Sequence, residues 1–146
     1  MLKRFLLCIL FIASSAAIAQ PKSTEDWSRR DAFVNLEKLD ESIVAEWEGG
    51  AWKHEGVTGS FRFFLTEYKK GREKLYIQWV LDGGEAAYSM SVKELNIRPE
   101  YDLTLPECLD GDSCRLLKVN ARHFYEETDR EFQIKLDGLG SYSFDF

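Results

Sequence analysis

The sequence predicts a mainly β fold with one N-terminal α-helix. Apolar and polar residues alternate from Ala51 onward, which is typical of strands with one buried face. Tight-turn sequences separate the alternating runs, whereas the segment before them has apolar residues at every third or fourth position. Because tight turns join antiparallel neighbours, we expect an antiparallel meander of about eight strands.

The first 19 residues have the pattern of a secretory signal peptide. Lys3 and Arg4 precede an apolar run at 5–12, and small residues follow and end at Ala17-Ile18-Ala19. The apolar run is far shorter than the roughly 20 residues that span a bilayer. We therefore expect cleavage after Ala19, export to the periplasm or the cell exterior, and a mature chain without a transmembrane segment.

The mature chain, residues 20–146, has the length of a single domain. Cleavage removes Lys3 and Arg4 from the 19 basic residues and none of the 25 acidic ones, so the net charge changes from −6 to −8. Nucleic acids and anionic membrane surfaces are bound through basic patches. The acidic balance therefore predicts that neither is a partner.

Cysteine usage agrees with export. Cys8 lies in the apolar run and is lost with the signal peptide, which leaves Cys108 and Cys114. A lone pair in an oxidising compartment is most simply a disulfide. Zinc is the alternative, but it requires four ligands and no histidine or second cysteine pair lies nearby.

Residues 24–48 are predicted to form the helix, and Gly49-Gly50 is predicted to end it. Its apolar positions recur every three to four residues over much of this range. They are Trp27, Phe33, Leu36, Ile43 and Trp47. A competing interpretation makes 42–47 the first strand, since Ile43, Ala45 and Trp47 also alternate.

The alternating runs predict the strands in order. They are 51–55, 61–66, 75–81, 88–97, 101–105, 117–122, 132–136 and 142–146. Asp82-Gly83-Gly84 is a strong hairpin signal between two of them. The strands can close into a barrel or form a curved sheet covered by the helix. We favour a closed or nearly closed barrel, because an unpaired last strand with alternating aromatic residues would promote aggregation.

Gly50-Ala51-Trp52, which opens this run of strands, resembles the G-x-W signature of lipocalins and related calycin barrels. In those families the tryptophan packs across the barrel floor, and the interior holds a small apolar ligand. The resemblance implies that Trp52 is a structural floor residue. The late T-D-Y motif of lipocalins has no counterpart here, since Thr66-Glu67-Tyr68 comes too early.

The sequence contains little that resembles catalytic machinery. His54 and His123 lie in different predicted regions, and neither has the spacing of a metal-binding or nucleophilic motif. His54 and Glu55 would point to opposite faces of a strand. We expect no enzymatic activity, no cofactor and no metal. Asp110-Gly111-Asp112 is interpreted as a turn, with a calcium contact as the alternative.

Aromatic residues that would face the barrel interior predict a site for a small apolar or amphipathic ligand. The candidate ligand-binding residues are Trp52, Phe61, Phe63, Trp79, Tyr88, Met90, Phe132 and Tyr142. The alternative function is a protein-interaction or inhibitor module that presents the loop 108–114 to an exported partner.

Overall fold

A computed structural model of the chain describes residues 38–146, which form two antiparallel sheets and very little helix. The mainly β, antiparallel prediction is confirmed. The elements are β1 Ile43–His54, β2 Val57–Lys69, β3 Arg72–Leu81, β4 Ala86–Ser91, α1 Lys93–Asn96, β5 Tyr101–Leu103, β6 Glu107–Cys108, a 3-10 helix Gly111–Ser113, β7 Leu116–His123, β8 Asp129–Leu136 and β9 Tyr142–Asp145. Within this described region, no helix has the length and apolar character needed to cross a membrane.

The first sheet is a meander with the strand order β1-β2-β3-β4. The predicted hairpin at Asp82-Gly83-Gly84 connects β3 to β4, and the amide of Leu81 donates to the carbonyl of Glu85 at 2.8 Å. Gly84 has a φ of 89°, a left-handed conformation that glycine adopts without steric cost. The glycine therefore allows the chain to reverse within a few residues.

The second sheet has the order β5-β7-β8-β9, and the short strand β6 also pairs with β7. Cys108 at the end of β6 is bonded to Cys114, so the predicted disulfide is present. The resulting disulfide loop, residues 108–114, contains the 3-10 helix. Its disulfide bond fixes the position at which the chain enters β7.

One hydrophobic core fills the space between the sheets. Alternate side chains of the central strands point into it, as the twofold period of a strand requires. Its fully buried members include Phe63, Leu75, Ile77, Trp79, Leu117, Val119 and Ile134. Phe61 contacts the Trp79 ring edge-to-face at 5.8 Å between centroids. The aromatic side chains therefore act chiefly as packing residues.

The expectation of a closed barrel is wrong for the described residues, because their strands form two separate sheets. The strand predicted over 88–97 ends at Ser91, and α1 then directs the chain toward the second sheet. Side chains bridge the gap between α1 and β9: the Tyr142 hydroxyl accepts from the amide of Lys93 at 3.0 Å and donates to Glu94 at 2.7 Å. These side-chain bonds take the place of a backbone ladder.

The helix predicted over 24–48 is wrong from Ile43 onward, where β1 begins; residues 24–37, like the predicted signal peptide, lie outside the described residues. The competing interpretation of 42–47 as a strand is the correct one. Trp47 lies opposite Phe63, with the two rings stacked 5.6 Å apart. This cross-strand packing outweighs the helical spacing of Ile43 and Trp47. Gly49-Gly50 does not end a helix but lies at an irregularity within β1.

Candidate functional site

A cleft of about 450 Å³ opens between the two sheets at one end of the molecule. We call it the inter-sheet cleft. The β1–β2 hairpin, the β3–β4 turn, the disulfide loop and the segment after β8 all contribute to it. Its lining combines apolar Trp52, Phe61 and Leu136 with polar Lys53, Thr58, Asp82, Ser113 and Arg115.

The indole of Trp52 forms part of the wall between this cleft and the core, and Trp52 is 5 % exposed. Its Nε1 donates to the carbonyl oxygen of Ser60 at 2.7 Å, which orients the ring. A Cβ atom on Gly59 would lie 2.7 Å from the indole and 1.9 Å from the carbonyl oxygen of Val80. Only glycine allows the ring and the neighbouring strand to approach this closely. Backbone packing therefore holds the indole in place.

Two cations lie in the polar lining. Among residues 38–146, neither Lys53 nor Arg115 forms a side-chain ion pair. Asp82, the acidic residue of the lining, accepts a hydrogen bond from the Thr58 hydroxyl. Cationic donors without a carboxylate partner are suited to bind an anionic group, and an arginine can do so with two parallel hydrogen bonds.

Asp110 organises the disulfide loop beside the cleft. Its carboxylate accepts from the Ser113 hydroxyl and, at 3.2 Å, from the amide of Arg115. Burial alone would raise the pKa of the Asp110 carboxyl, but these hydrogen bonds lower it below its usual value. Asp110 thus positions Ser113 and Arg115. Within the described region, no group of three or more His, Cys, Asp or Glu side chains could hold a metal ion.

Gly50 brings β1 against the disulfide loop. It has a φ of 69°, and a Cβ atom there would lie 2.7 Å from Cβ of Cys114 and 2.9 Å from the carbonyl oxygen of Ser113. The residues of the Gly50-Ala51-Trp52 sequence thus have separate structural roles. The glycine provides space for the loop, and Trp52 lines the cleft.

The structure does not bring all eight predicted ligand-binding residues together. Trp52 and Phe61 line the inter-sheet cleft and are also buried members of the core, 5 % and 1 % exposed. Tyr88 and Tyr142 are half-buried at the margin of the core, where Tyr88 contacts the edge of Trp79 at 6.1 Å. The remaining four are buried within the core: Phe63, Trp79, Met90 and Phe132.

Sequence reasoning missed the polar residues of the cleft. Lys53 directly follows Trp52, and Ser113 and Arg115 flank Cys114. Adjacency to the G-x-W signature and to a disulfide cysteine was the signal available in the sequence. That signal does not reveal that the two segments meet, because their approach depends on how the sheets pack.

The two histidines lie outside the lining of this cleft. His123 is buried, its Nδ1 accepts from the amide of Glu126 at 3.0 Å, and its Nε2 lies 3.5 Å from the Glu100 carboxylate. These contacts stabilise the turn after β7. His54 is more exposed and lies 3.9 Å from Glu55.

An aromatic cluster, composed of Tyr68, Phe124 and Tyr125 around Arg72, lies at the opposite end of the sheets. The guanidinium lies 5.3–5.6 Å from the three ring centroids and donates to the Tyr125 hydroxyl at 2.8 Å. Arg72 begins β3, whereas Phe124 and Tyr125 follow β7. The cluster therefore links the two sheets away from the cleft.

Comparisons with protein-family models, with curated proteins and with solved structures find no match for this chain. The resemblance to lipocalins stays a prediction.

Proposed function

We propose that the mature protein is an exported, non-enzymatic domain that binds a small amphipathic molecule in the inter-sheet cleft. The apolar part of the ligand packs against Trp52, and an anionic group faces Lys53 and Arg115. One observation carries this proposal: the Trp52 indole, oriented by its hydrogen bond, lines the same cleft as two cations that form no side-chain ion pair within residues 38–146.

The size of the cleft supports a small ligand. Its volume of about 450 Å³ lies within the range of about 300–1,000 Å³ that is usual for small-molecule sites. Each buried methylene group contributes about 0.8 kcal/mol, and a hydrogen bond to a charged group contributes about 1.5–3 kcal/mol. A small ligand with a compact apolar tail and one carboxylate can therefore contact both the apolar and the cationic parts of the cleft lining.

The hydrogen bonds of the cleft support binding rather than catalysis. The hydroxyl of Ser113 donates to the Asp110 carboxylate, and the cleft lining contains no histidine. The lowered pKa of the Asp110 carboxyl makes it a weak base for activating that hydroxyl. Asp82 is engaged by Thr58. Export is supported by the signal-peptide pattern of residues 1–19 and by a disulfide, which persists in oxidising compartments.

Displacement of a fluorescent naphthalene sulfonate dye by octanoate tests the proposal on the mature protein. We expect saturable displacement by octanoate, weaker displacement by octanol, and a loss of octanoate affinity of about 10-fold or more in Arg115→Ala. Lys70→Ala is the matched control, because Lys70 is an exposed cation in the β2–β3 turn. Equal affinities for octanoate and octanol, or equal losses in both variants, would contradict the anionic site.

A second candidate function is partner binding through the disulfide loop. Leu109 is 44 % exposed there, so the loop presents an apolar side chain from a covalently fixed backbone. Affinity capture from the native compartment, with Leu109→Ser as the variant and Arg115→Ala as the comparison, distinguishes the two candidates. Loss of a captured protein in Leu109→Ser alone supports this second function.

A further inference from the structure

His123 is a buried histidine at the end of β7, and its two ring nitrogens have different partners. The residue is 8 % exposed. Its Nδ1 accepts a hydrogen bond from the amide of Glu126 at 3.0 Å, and its Nε2 lies 3.5 Å from the carboxylate of Glu100. A ring nitrogen that accepts from an N–H group carries no proton of its own. The proton of the neutral ring therefore lies on Nε2, beside Glu100.

The turn that follows β7 is built around this histidine. The amide of Glu127 donates to the backbone carbonyl of His123 at 2.9 Å, and the amide of His123 donates to the carbonyl of Thr128 at 2.8 Å. Glu127 has a φ of 55°, a left-handed conformation that disfavours a residue with a side chain. These backbone bonds and the bond from the Glu126 amide to Nδ1 together hold the turn in a strained conformation.

Two aromatic side chains of this turn contact the first sheet. The guanidinium of Arg72 donates to the Tyr125 hydroxyl at 2.8 Å and lies 5.3 Å from the centroid of the Phe124 ring. The Phe124 ring also packs against Gly71, where a Cβ atom would lie 3.2 Å from it. The centroid of the Tyr125 ring is 6.2 Å from that of the His123 imidazole. The turn therefore connects His123 to a contact between the two sheets.

The groups around His123 act in opposite directions on its charge. They come from β5 and the residue before it, from the turn, and from the start of β3. They are Glu100, Tyr101, Tyr125, Glu126 and, beyond the Tyr125 ring, Arg72. The carboxylate of Glu100 favours an imidazolium, whereas the amide of Glu126 bonds only to a ring whose Nδ1 is unprotonated.

We propose that His123 is a pH-sensitive switch for the turn after β7. Acidification adds a proton from the solvent to Nδ1, which changes this nitrogen from an acceptor into a donor. The amide of Glu126 then faces another N–H group, so their hydrogen bond breaks and the turn changes conformation. Glu100 stabilises the imidazolium at Nε2, while the rearranged turn releases Tyr125 from Arg72. The contact between the sheets at this end is therefore weaker at acidic pH.

NMR of the isotope-labelled mature protein between pH 8 and pH 5 tests the switch. At pH 8, the ring nitrogen shifts of His123 should be those of the tautomer with its proton on Nε2. As His123 takes up a second proton, the amide proton of Glu126 should shift upfield. The nuclear Overhauser effects between the Tyr125 ring and the Arg72 side chain should be lost over the same pH range.

His123→Asn separates the switch from other effects of acid. The amide oxygen of asparagine can accept from the Glu126 amide in place of Nδ1, but it takes up no proton in this pH range, so the contacts of Tyr125 should not change with pH. His54→Asn is the matched control, because it removes the more exposed histidine and should leave the transition of the turn unchanged. Glu100→Gln removes the charge beside Nε2 and should move the transition to lower pH.

Four results would each overturn the proposal. They are a proton on Nδ1 at pH 8, a His123 that stays neutral down to pH 5, protonation that leaves the Glu126 amide and the Tyr125 contacts unchanged, and the same transition in His123→Asn. The first three are measured on the parent protein, so the proposal can be tested even if His123→Asn does not fold.

Discussion

Gly50 determines how closely β1 can approach the disulfide loop. Its left-handed backbone and the 2.7 Å approach of Cys114 both disfavour a side chain. Gly50→Ala should lower the free energy of unfolding by about 1–3 kcal/mol, because it adds strain and a steric clash. Urea unfolding measures the loss. Gly83→Ala is the control, since nothing lies within 4 Å of a Cβ atom there, and equal effects of the two substitutions would contradict the packing role.

Arg72 holds three aromatic rings from both sheets in one cluster. A cation over a ring contributes about 0.5–1 kcal/mol at exposed sites, and Arg72 also donates to the Tyr125 hydroxyl. Arg72→Ala should therefore lower the free energy of unfolding by about 1–2 kcal/mol in urea denaturation. Lys70→Ala, two residues away in the β2–β3 turn, should change it by less than about 0.5 kcal/mol. A loss that is equally small in both variants would show that the cluster does not link the sheets.

At the scale of single residues, the sequence predicted that Trp52 and Phe61 are ligand-binding residues, but it did not predict that role for Lys53 or Arg115. The G-x-W pattern and the alternation of apolar and polar residues along the strands identify aromatic residues as candidates. The chain has 19 basic residues, however, and nothing local distinguishes the two that line the cleft. Their proximity follows from long-range packing between the β1–β2 hairpin and the start of β7.

Among the elements, the hairpin at Asp82-Gly83-Gly84 was predictable, because its turn chemistry is local. The start of β1 was not, since Ile43 and Trp47 satisfy both a helical and an extended period. Pairing of Trp47 with Phe63 resolves this ambiguity, and that contact joins distant parts of the sequence. Local propensity therefore failed where a cross-strand contact decides the structure.

The segment leading into β1 depends on the charge of Glu41. Burial would raise the pKa of this carboxyl, but hydrogen bonds from Lys74 and Thr66 and the charge of Lys74 lower it below 4.5. Its contribution to stability is therefore complete above about pH 4.5, the pKa expected in the unfolded chain, and is lost as pH falls through the lower folded pKa.

Urea unfolding of the parent and of Glu41→Gln between pH 2 and 7 measures this contribution. The parent should be more stable at pH 7, and the difference should shrink as the solution is acidified. The comparison isolates Glu41 from Glu73, whose pKa is raised by burial and by the charge of Asp102 despite a hydrogen bond from the Leu103 amide. A difference that does not change with pH would contradict the role of the ionised carboxylate.

The disulfide loop connects stability to the proposed ligand binding. Closing a loop of about seven residues stabilises a chain by roughly 2 kcal/mol in the chain-entropy model. Replacing Cys108 and Cys114 by serine should cause about that loss in unfolding experiments. It should also weaken octanoate binding, because Ser113 and Arg115 lose their fixed positions. Unchanged affinity in the folded double variant would indicate that the loop does not shape the cleft.

For the whole molecule, the sequence predicted an antiparallel meander but not its division into two sheets. A barrel closes only when its edge strands pair with each other. Here α1 directs the chain away from the first sheet after β4, and the later strands form a second sheet. The aromatic residues expected around one ligand cavity mostly pack against each other instead. The way the two sheets pack against each other determines how much of the space between them is filled by the core and how much stays open as a cleft. An alternating sequence pattern does not specify that packing.

The two ends of the sheets have different chemistry. One end has the inter-sheet cleft with Trp52, Lys53 and Arg115, and the other has the aromatic cluster around Arg72. Both ends carry basic side chains in a chain with a formal charge of −6. The proposed site differs from the other end in that Arg72 is enclosed by three aromatic rings, whereas Lys53 and Arg115 line an open cleft.

An NMR titration of the isotope-labelled mature protein with octanoate tests the ligand site most directly. We predict saturable shifts of the Trp52 indole signal and of the amides of Ser113 and Arg115, with the amides of Phe124 and Tyr125 unchanged. Arg115→Ala should abolish or strongly weaken these shifts. The absence of saturable shifts at the cleft, or shifts confined to the aromatic cluster, would contradict binding in the inter-sheet cleft.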